Sequence, residues 1–550
     1  MASQRRSLRQ KGVSLVVGAA SMVLLIPSAG LSIDAALLYY TKARLQGAVD
    51  GAALGAARAL SLGATTAAQQ TAAQQNAVNW FYANFPSTLW GTSNTQMDQS
   101  MVQVFDDPNN PNLRNVTVSA NTTVPTIFMR WFNMNSTLVA ATGNASRRDA
   151  VIMMVLDRSG SMNSSGSCPD LRASAKLFTG QFSAGRDRIG LVTFSDGAYV
   201  ASQPTTDFRT ALGYDDGTSS GAGAIDSINC AGGTGTANAI SLGYNELYKV
   251  NLPGAFNVLF METDGLPNTL TMNLWDSTTN TYALDTGSGC TDKNGKTKFG
   301  GGWTNASVAK DWNGTGGHVM GPNGFMADIP PGAIGSIYSS DPVVASPGTG
   351  TFTLMGSPWH NSSNAGLNGT ITPYASGCAF SGVITHSLTD IGPTAHNGWL
   401  PLTDVYGNSL YPATNPFLTV TLTSGKLSMP SGVNLNAAWQ NFHNAALNAT
   451  DNAAYRARTN GTLPATMFVI GLGGNTGGGP PVDHTLLARI ANDPAGDAFN
   501  TPPAYTSCAT TVNCVNYPSQ PQGTYIYSVD KNELRSAFLR LSSQILRLSK

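Results

Sequence analysis

Over its second half the chain alternates apolar runs with amphipathic stretches. AVIMMVL is apolar throughout, the pattern of a parallel strand buried on both faces. RIGLVTF, FNVLFMET, TMFVIGLG and TYIYSVD read as further strands. Between them, residues 170–183, TANAISLGYNELYKV, NAAWQNFHNAALNATDNAAYRAR, HTLLARIAND and the segment from Lys531 show helical spacing. Strand–helix alternation of this kind predicts a doubly wound α/β sheet with helices on both faces. Residues 275–430 break the pattern. They are rich in Gly, Asn, Thr, Ser and Pro, and too long for a loop. They read as an insertion, mostly β or irregular, and Trp303, Trp312, Trp359 and Trp399 argue against full disorder.

The first part of the chain is patterned differently. Arg5, Arg6, Arg9 and Lys11 precede an uncharged stretch from Gly12 to Ile33. Roughly 20 such residues suffice to cross a bilayer. The basic flank predicts a cytoplasmic N-terminus, with everything after Asp34 outside. A cleaved signal peptide is the alternative, since Ser28-Ala29-Gly30 is an acceptable small-residue site. Residues 34–62 read as one helix, with Leu38, Leu45, Val49, Ala52, Ala56 and Leu60 at helical spacing. Gly47, Gly51 and Gly55 fall along one face, a bare ridge suited to close helix approach in a membrane or against the chain's own globular part. Beyond it, AAQQTAAQQNAVNWFYANF is predicted helical, and NVTVSANTTVPTIFMRWF and STLVAATGNASR are predicted strands of a small α+β unit. The boundaries are then 1–41 for the basic tail and anchor, 42–72 for a stalk helix and 73–148 for the small unit. The α/β domain takes 149–274 and 431–550, with 275–430 inserted.

Composition narrows the function. Lys+Arg and Asp+Glu are equal at 31 each and charged residues are only 11%, which excludes a basic nucleic-acid-binding surface. No phosphate-binding GxxxxGK[ST] loop, HExxH or GxSxG motif occurs. His318, His360, His386, His396, His443 and His484 have no metal-ligand spacing. A non-catalytic role follows as the expectation. The six cysteines lack CxxC spacing. They fit disulfides in an oxidising compartment, with buried thiols as the alternative.

Ligands of an open α/β sheet gather at the carboxyl ends of its strands. Three elements fall there: Asp157-x-Ser159-x-Ser161, GGTGT with Thr234, and TDG with Asp264. Two carboxylates and three hydroxyls are all oxygen donors, which suits Mg2+, with Mn2+ or Ca2+ as alternatives. Alternate spacing lets one tight loop aim 157, 159 and 161 inward. Such a cation keeps a position for an acidic group from a partner.

DxSxS, GGT and TDG in this order resemble a von Willebrand factor A domain with its metal-ion-dependent adhesion site. The resemblance implies metal-ligand roles for Asp157, Ser159, Ser161, Thr234 and Asp264. The segment RRSLRQKGVSLVVGAASMVLLIPSAGLSIDAALLYYTKARLQGAVDGAALGAARAL is similar to the N-terminus of TadG-like proteins of the tight-adherence (Flp) pilus machinery. Pseudopilins of that system carry a Glu five residues past the processed Gly; here Val17 follows Gly12, which favours a retained anchor.

Together these imply a single-pass bacterial inner-membrane protein, its bulk periplasmic or otherwise extracytoplasmic, binding an acidic protein partner through a metal. Alternatives are a surface adhesin, or a scaffold with a structural or vestigial metal site. The insertion starts just after Asp264, so it is expected to wall or cap that site. Cys508 and Cys514 are close in sequence, and Cys290 and Cys378 share the insertion. That leaves Cys168 and Cys230, whose loops must converge on the metal; a bridge there would add about 3–4 kcal/mol in the chain-entropy model.

Overall fold

The computed structural model describes residues 2–63, 65–195, 198–230, 234–252, 254–267, 435–473, 482–496 and 520–549. Between 268 and 434 it describes short strand segments together with residues 408 and 409. The chain forms two compact units, residues 1–148 and 149–549.

The first unit is built on α1 (Ala2–Ala59) and α2 (Thr66–Asn84), laid on an antiparallel sheet of β1 (Ser93–Gln96), β2 (Val102–Asp107), β3 (Asn110–Pro125) and β4 (Ser136–Arg148). Strand β3 is central, pairing with the other three. It alternates buried and half-buried residues: Val116, Val118, Ala120, Thr122 and Val124 face inward. The inward face meets Leu45, Val49, Ala52, Ala56 and Leu60 of α1, so residues 45–60 belong to this unit's core. Of the three ridge glycines, Gly55 is at a close approach. A Cβ there would fall 2.6 Å from the Trp80 ring of α2, whereas one at Gly47 or Gly51 would meet nothing within 4 Å. The strand expected to run through Phe132 stops at Pro125, and Met129–Phe132 form a 3-10 turn. The reason is local: Asp34 on α1 captures the backbone N–H groups of Ile127, Phe128 and Met129, withdrawing them from any ladder.

Among the described residues, one helix is long and apolar enough to cross a membrane, over Val16–Ala59. Its first part, from Val16 to Ile33, exposes Val16, Val17, Met22, Val23, Leu25, Ile26, Leu31 and Ile33.

The second unit is a six-stranded sheet. Its strands are β5 (Ala150–Asp157), β6 (Arg188–Phe194), β7 (Ala198–Thr205), β8 (Phe256–Thr263), β9 (Thr466–Leu472) and β10 (Thr524–Ser528). The order is β10-β9-β8-β5-β6-β7, parallel except for the antiparallel edge pair β6–β7. Sequence periodicity did not single out β7, whose run AYVASQPT holds a proline and little apolar signal. Consecutive residues of β5 serve opposite faces. Val151, Met153 and Val155 join the core under α6 (Thr236–Val250), α7 (Leu435–Thr459) and α8 (His484–Ala491). Ile152, Met154 and Leu156 join the core under α4 (Cys168–Gly180), α5 (Phe208–Leu212) and α9 (Lys531–Leu548), where Phe178, Phe260 and Phe538 pack ring to ring. A central strand covered on both faces must be apolar throughout, which is why AVIMMVL lacks alternation.

Described segments of the insertion form short antiparallel ladders. Ser336–Ser339 pairs with Thr269–Leu270 and Phe352–Met355, Leu274–Asp276 with Thr281–Ala283, His360–Ala365 with Ile371–Pro373, and Leu422–Thr423 with Lys426–Leu427. Asn408 donates to Ser241 Oγ on α6 at 2.9 Å.

Buried Asp187 ties the start of the central strand to the turn before β6. Its carboxylate accepts from Ala150 N–H at 2.9 Å and from Ser183 N–H at 2.7 Å. Asp187→Ala leaves two buried backbone donors short of an acceptor, an expected loss of about 2–3 kcal/mol. Urea unfolding of wild type and variant checks it; a difference under about 0.5 kcal/mol, the size of an ordinary surface change, would refute the clasp.

Candidate metal site

The strand order fixes where a site can form. From β5 the chain moves to one side through β6 and β7, then returns to the other side with β8. The order reverses between β5 and β8, and ligands of open α/β sheets bind in the crevice at the carboxyl ends of such strands. Asp157 is the last residue of β5, and Asp264 follows the last residue of β8.

The side chains meet there. Ser161, on the short helix α3 (Gly160–Ser164), donates its Oγ hydrogen to Asp264 Oδ1 at 2.6 Å. Ser159 Oγ lies 3.3 Å from the same oxygen and 2.8 Å from Ser161 Oγ. Thr234 closes the group: a Cβ placed on Gly265 would fall 3.4 Å from Thr234 Oγ1 and 3.8 Å from Ser161 Oγ. Asp157 is turned by its neighbours, accepting from Ser159 N–H at 2.7 Å and from the Thr263 hydroxyl at 2.5 Å. All five expected ligand residues therefore lie at one strand edge, and Asp157, Ser159, Thr234 and Asp264 are buried.

The electrostatics are those of acids crowded out of water. Burial pushes the Asp157 carboxyl up to about 6, against hydrogen bonds from Thr263 and Ser159. Burial, and then the charge of Asp157, pushes Asp264 up to about 7, against its hydroxyl donors. Glu262, fully buried one residue before the end of β8, is raised well above the carboxylate range by burial and then by both aspartates. Sequence reasoning passed over Glu262, although a lone Glu in the apolar run FNVLFMET was a signal.

Oδ2 of Asp264 and both carboxyl oxygens of Glu262 are buried without a hydrogen-bond partner among the described residues. Also among these, no three His, Cys, Asp or Glu side chains are grouped to hold a metal. The donor set is two carboxylates with hydroxyls. A hard dication fits it: the donors are all oxygen, the acids disfavour one another's ionisation, and one carboxylate oxygen is unused.

The loop leading to Thr234 is held firmly. Cys168 and Cys230 form a disulfide with Cα atoms 6.2 Å apart, joining the start of α4 to that loop. Arg172 on α4 donates to Ile228 C=O at 2.7 Å, and Arg158, between Asp157 and Ser159, donates to Asn229 C=O at 3.2 Å. On the far side Gly235 N–H donates to Ser195 C=O at 2.7 Å. Neither arginine stood out from sequence. Cys290, Cys378, Cys508 and Cys514 lie outside the described residues, as does most of the insertion expected to wall the site.

Two family models match parts of the chain. Residues 152–266 match the von Willebrand factor type A domain model, and residues 12–59 match the Flp pilus-assembly TadE/G-like model. No curated protein matches the chain. Among solved structures, the PilB minor pilin of Streptococcus sanguinis is similar at 11% identity over 84% of this chain and 80% of its own, with TM-score 0.29. The open form of the pilus adhesin SpaC of Lactobacillus rhamnosus GG is similar at 13% identity over 81% of this chain and 35% of its own, with TM-score 0.30. The von Willebrand domain of the type V pili tip protein of Porphyromonas gingivalis gives 13% identity over 74% and 98%, with TM-score 0.30.

The raised carboxyls make stability fall with pH. With chelator present, the folded chain holds protons on Asp157 and Asp264 that the unfolded chain, titrating near 3.8, has already released. Their contribution is full below about pH 4 and is lost as pH rises through about 6 and 7. Melting temperatures in chelator from pH 4.5 to 8 should decline across that window, and Asp264→Asn should flatten the decline. An unchanged slope in the variant would remove the acids as its cause.

Proposed function

We propose that this TadG-like chain, a TadE/G-like N-terminal region joined to a von Willebrand factor type A domain, is a membrane-anchored envelope protein of a tight-adherence pilus system whose second unit grips a protein partner through a divalent cation. The observation that carries the metal reading is the spare oxygen: Asp264 uses Oδ1 for two serine hydroxyls and leaves Oδ2 buried and unpaired. An orphaned buried carboxylate oxygen is costly unless a ligand uses it.

Asp157, Ser159, Ser161, Thr234 and Asp264 would hold the ion, Mg2+ first and Mn2+ or Ca2+ as alternatives. When bound it supplies a positive charge with room for a partner's carboxylate. The chain's own residues set the rest. Thr263 and the Ser159 N–H orient Asp157, and the disulfide and two arginines keep the Thr234 loop near the two aspartates. Burial and the two aspartates hold the Glu262 carboxyl well above the usual carboxylate range, which opposes a further negative charge at the site. Anchoring is supported by the exposed apolar face of α1 and its basic flank, which favours the cytoplasm.

Mn2+ titration of the detergent-solubilised chain should give one site. Asp157→Ala should weaken it by at least about tenfold, as loss of even an outer-shell partner does, with the thermal unfolding transition retained. Pull-down of cell-envelope proteins should lose its partner in chelator and regain it with Mg2+. Equal Mn2+ uptake by both forms, or capture indifferent to chelator, would leave a scaffold without metal-mediated binding.

A further inference from the structure

We propose that the tip of the β3–β4 hairpin, residues 126–135, is a second membrane contact: an aromatic foot seated at the boundary of headgroups and acyl chains where α1 leaves the bilayer. This rests on the reading of α1 as a membrane span.

The direction of the hairpin is fixed by its contacts with α1. Gln46 of α1 donates to Thr142 C=O at 2.9 Å, and Lys42 donates to Ala140 C=O. Asp34 then accepts from the N–H groups of Ile127, Phe128 and Met129 at 2.8, 2.8 and 2.6 Å. Finally, a Cβ on Gly30 would fall 2.4 Å from the Phe128 ring, so the ring lies directly on the helix backbone there. Moving toward the tip, the α1 partners step steadily back toward the N-terminus, 46, 42, 34, 30. The tip thus points along α1 toward its exposed apolar segment and reaches the last turn of that segment, at Gly30.

What the tip presents there is apolar and unpartnered. Trp131 is 81% exposed and Phe132 71%, with Ile127 and Met134 about half exposed. In water these rings have no reason to be held out; a soluble hairpin would carry polar turn residues. Tryptophan and other amphipathic rings concentrate at membrane interfaces, and Arg130 in the same turn supplies a cation for lipid phosphate. Tyr39, Tyr40 and Trp90 extend the belt outward. Tyr39 is 78% exposed, and Tyr40 and Trp90 stack edge to face at 5.7 Å, six residues or about 9 Å beyond Asp34 along the helix. That distance is comparable with the thickness of one interfacial layer. The occupant is therefore lipid. The clasp at Asp34 gives the foot its purpose: three hydrogen bonds fix its height relative to the span, so the first unit meets the membrane at two points and cannot swing about α1.

The test replaces Phe132 by photoreactive p-benzoylphenylalanine in the full chain, reconstituted in phosphatidylcholine–phosphatidylglycerol vesicles. Phe105, an exposed ring on β2, serves as the control position. Illumination should give lipid adducts at 132 and none at 105, and Asp34→Ala should reduce the adduct at 132 while the chain still floats with the vesicles. A chain-to-chain adduct at 132 would mean that a second copy covers the tip, overturning the foot. A floating chain with no lipid adduct at 132 also overturns it and leaves the anchor standing. A chain stripped from vesicles by carbonate brings down the anchor reading and the foot together.

Discussion

Everything at the candidate site depends on one constraint: two strands that must lie side by side each deliver an acid to the same buried edge. Strands β5 and β8 pair residue for residue, Leu156 beside Glu262, so Asp157 and Asp264 cannot be far apart. Burial then makes their charges expensive, and each raises the other's cost. The surroundings answer this in part. Asp157 is satisfied by a hydroxyl and a backbone N–H, and Asp264 by serine hydroxyls on one oxygen only. The hydrogen bonds described to these two carboxylates come from hydroxyls and a backbone N–H, and Arg158, next in sequence to Asp157, donates to the Asn229 backbone carbonyl.

The contrast with the chain's other buried acids sharpens this reading. Charged residues are scarce, 11% of the chain, and three of the other buried acids act as clasps. Both oxygens of Asp187 accept backbone N–H groups. Both oxygens of Asp34 do the same with a turn 93 to 95 residues away in sequence. Asp451 takes both oxygens to Arg489. These acids hold the fold and are spent in doing so. Asp264 and Glu262 instead keep buried oxygens with no hydrogen-bond partner among the described residues.

Much of this was legible in sequence because it rests on short-range patterns. AVIMMVL announces a strand buried on both faces, DxSxS and TDG follow such strands and GGT precedes a helix, so strands, helices and the residues gathered at their edge could be read together. What sequence withheld depends on contacts between distant segments. The edge strand β7 carries a proline and pairs on one side only, so periodicity is weak there. The run VPTIFMRWF is apolar enough to read as strand, yet Asp34 diverts its backbone into a turn. Two of the three ridge glycines face open space, because their spacing records a shared helix face and not what lies against it; the Trp80 ring alone gives one of them a packing reason. The boundary between stalk helix and small unit was invisible for the same cause, since alanines at helical spacing look alike whether or not a sheet covers them.

The continuity of α1 has a mechanical consequence. One helix supplies exposed apolar side chains from Val16 to Ile33 and core side chains from Leu45 to Leu60 of the first unit. Being one helix, it cannot turn its exposed half without turning its packed half. Turning it by one residue, about 100°, would carry Val49 and Ala56 out of the sheet core and leave Gly55 clear of Trp80. The rotational setting of the exposed apolar segment is therefore fixed by packing beyond it, at a site where alanine and glycine allow close contact but offer little area per residue. The hydrogen bonds at Asp34, Lys42 and Gln46 reinforce this weak apolar contact with directional ones along the same side of the helix. Small side chains set how near the sheet can come, and the polar clasps set its height and angle; neither alone would hold a sheet upright on a single helix.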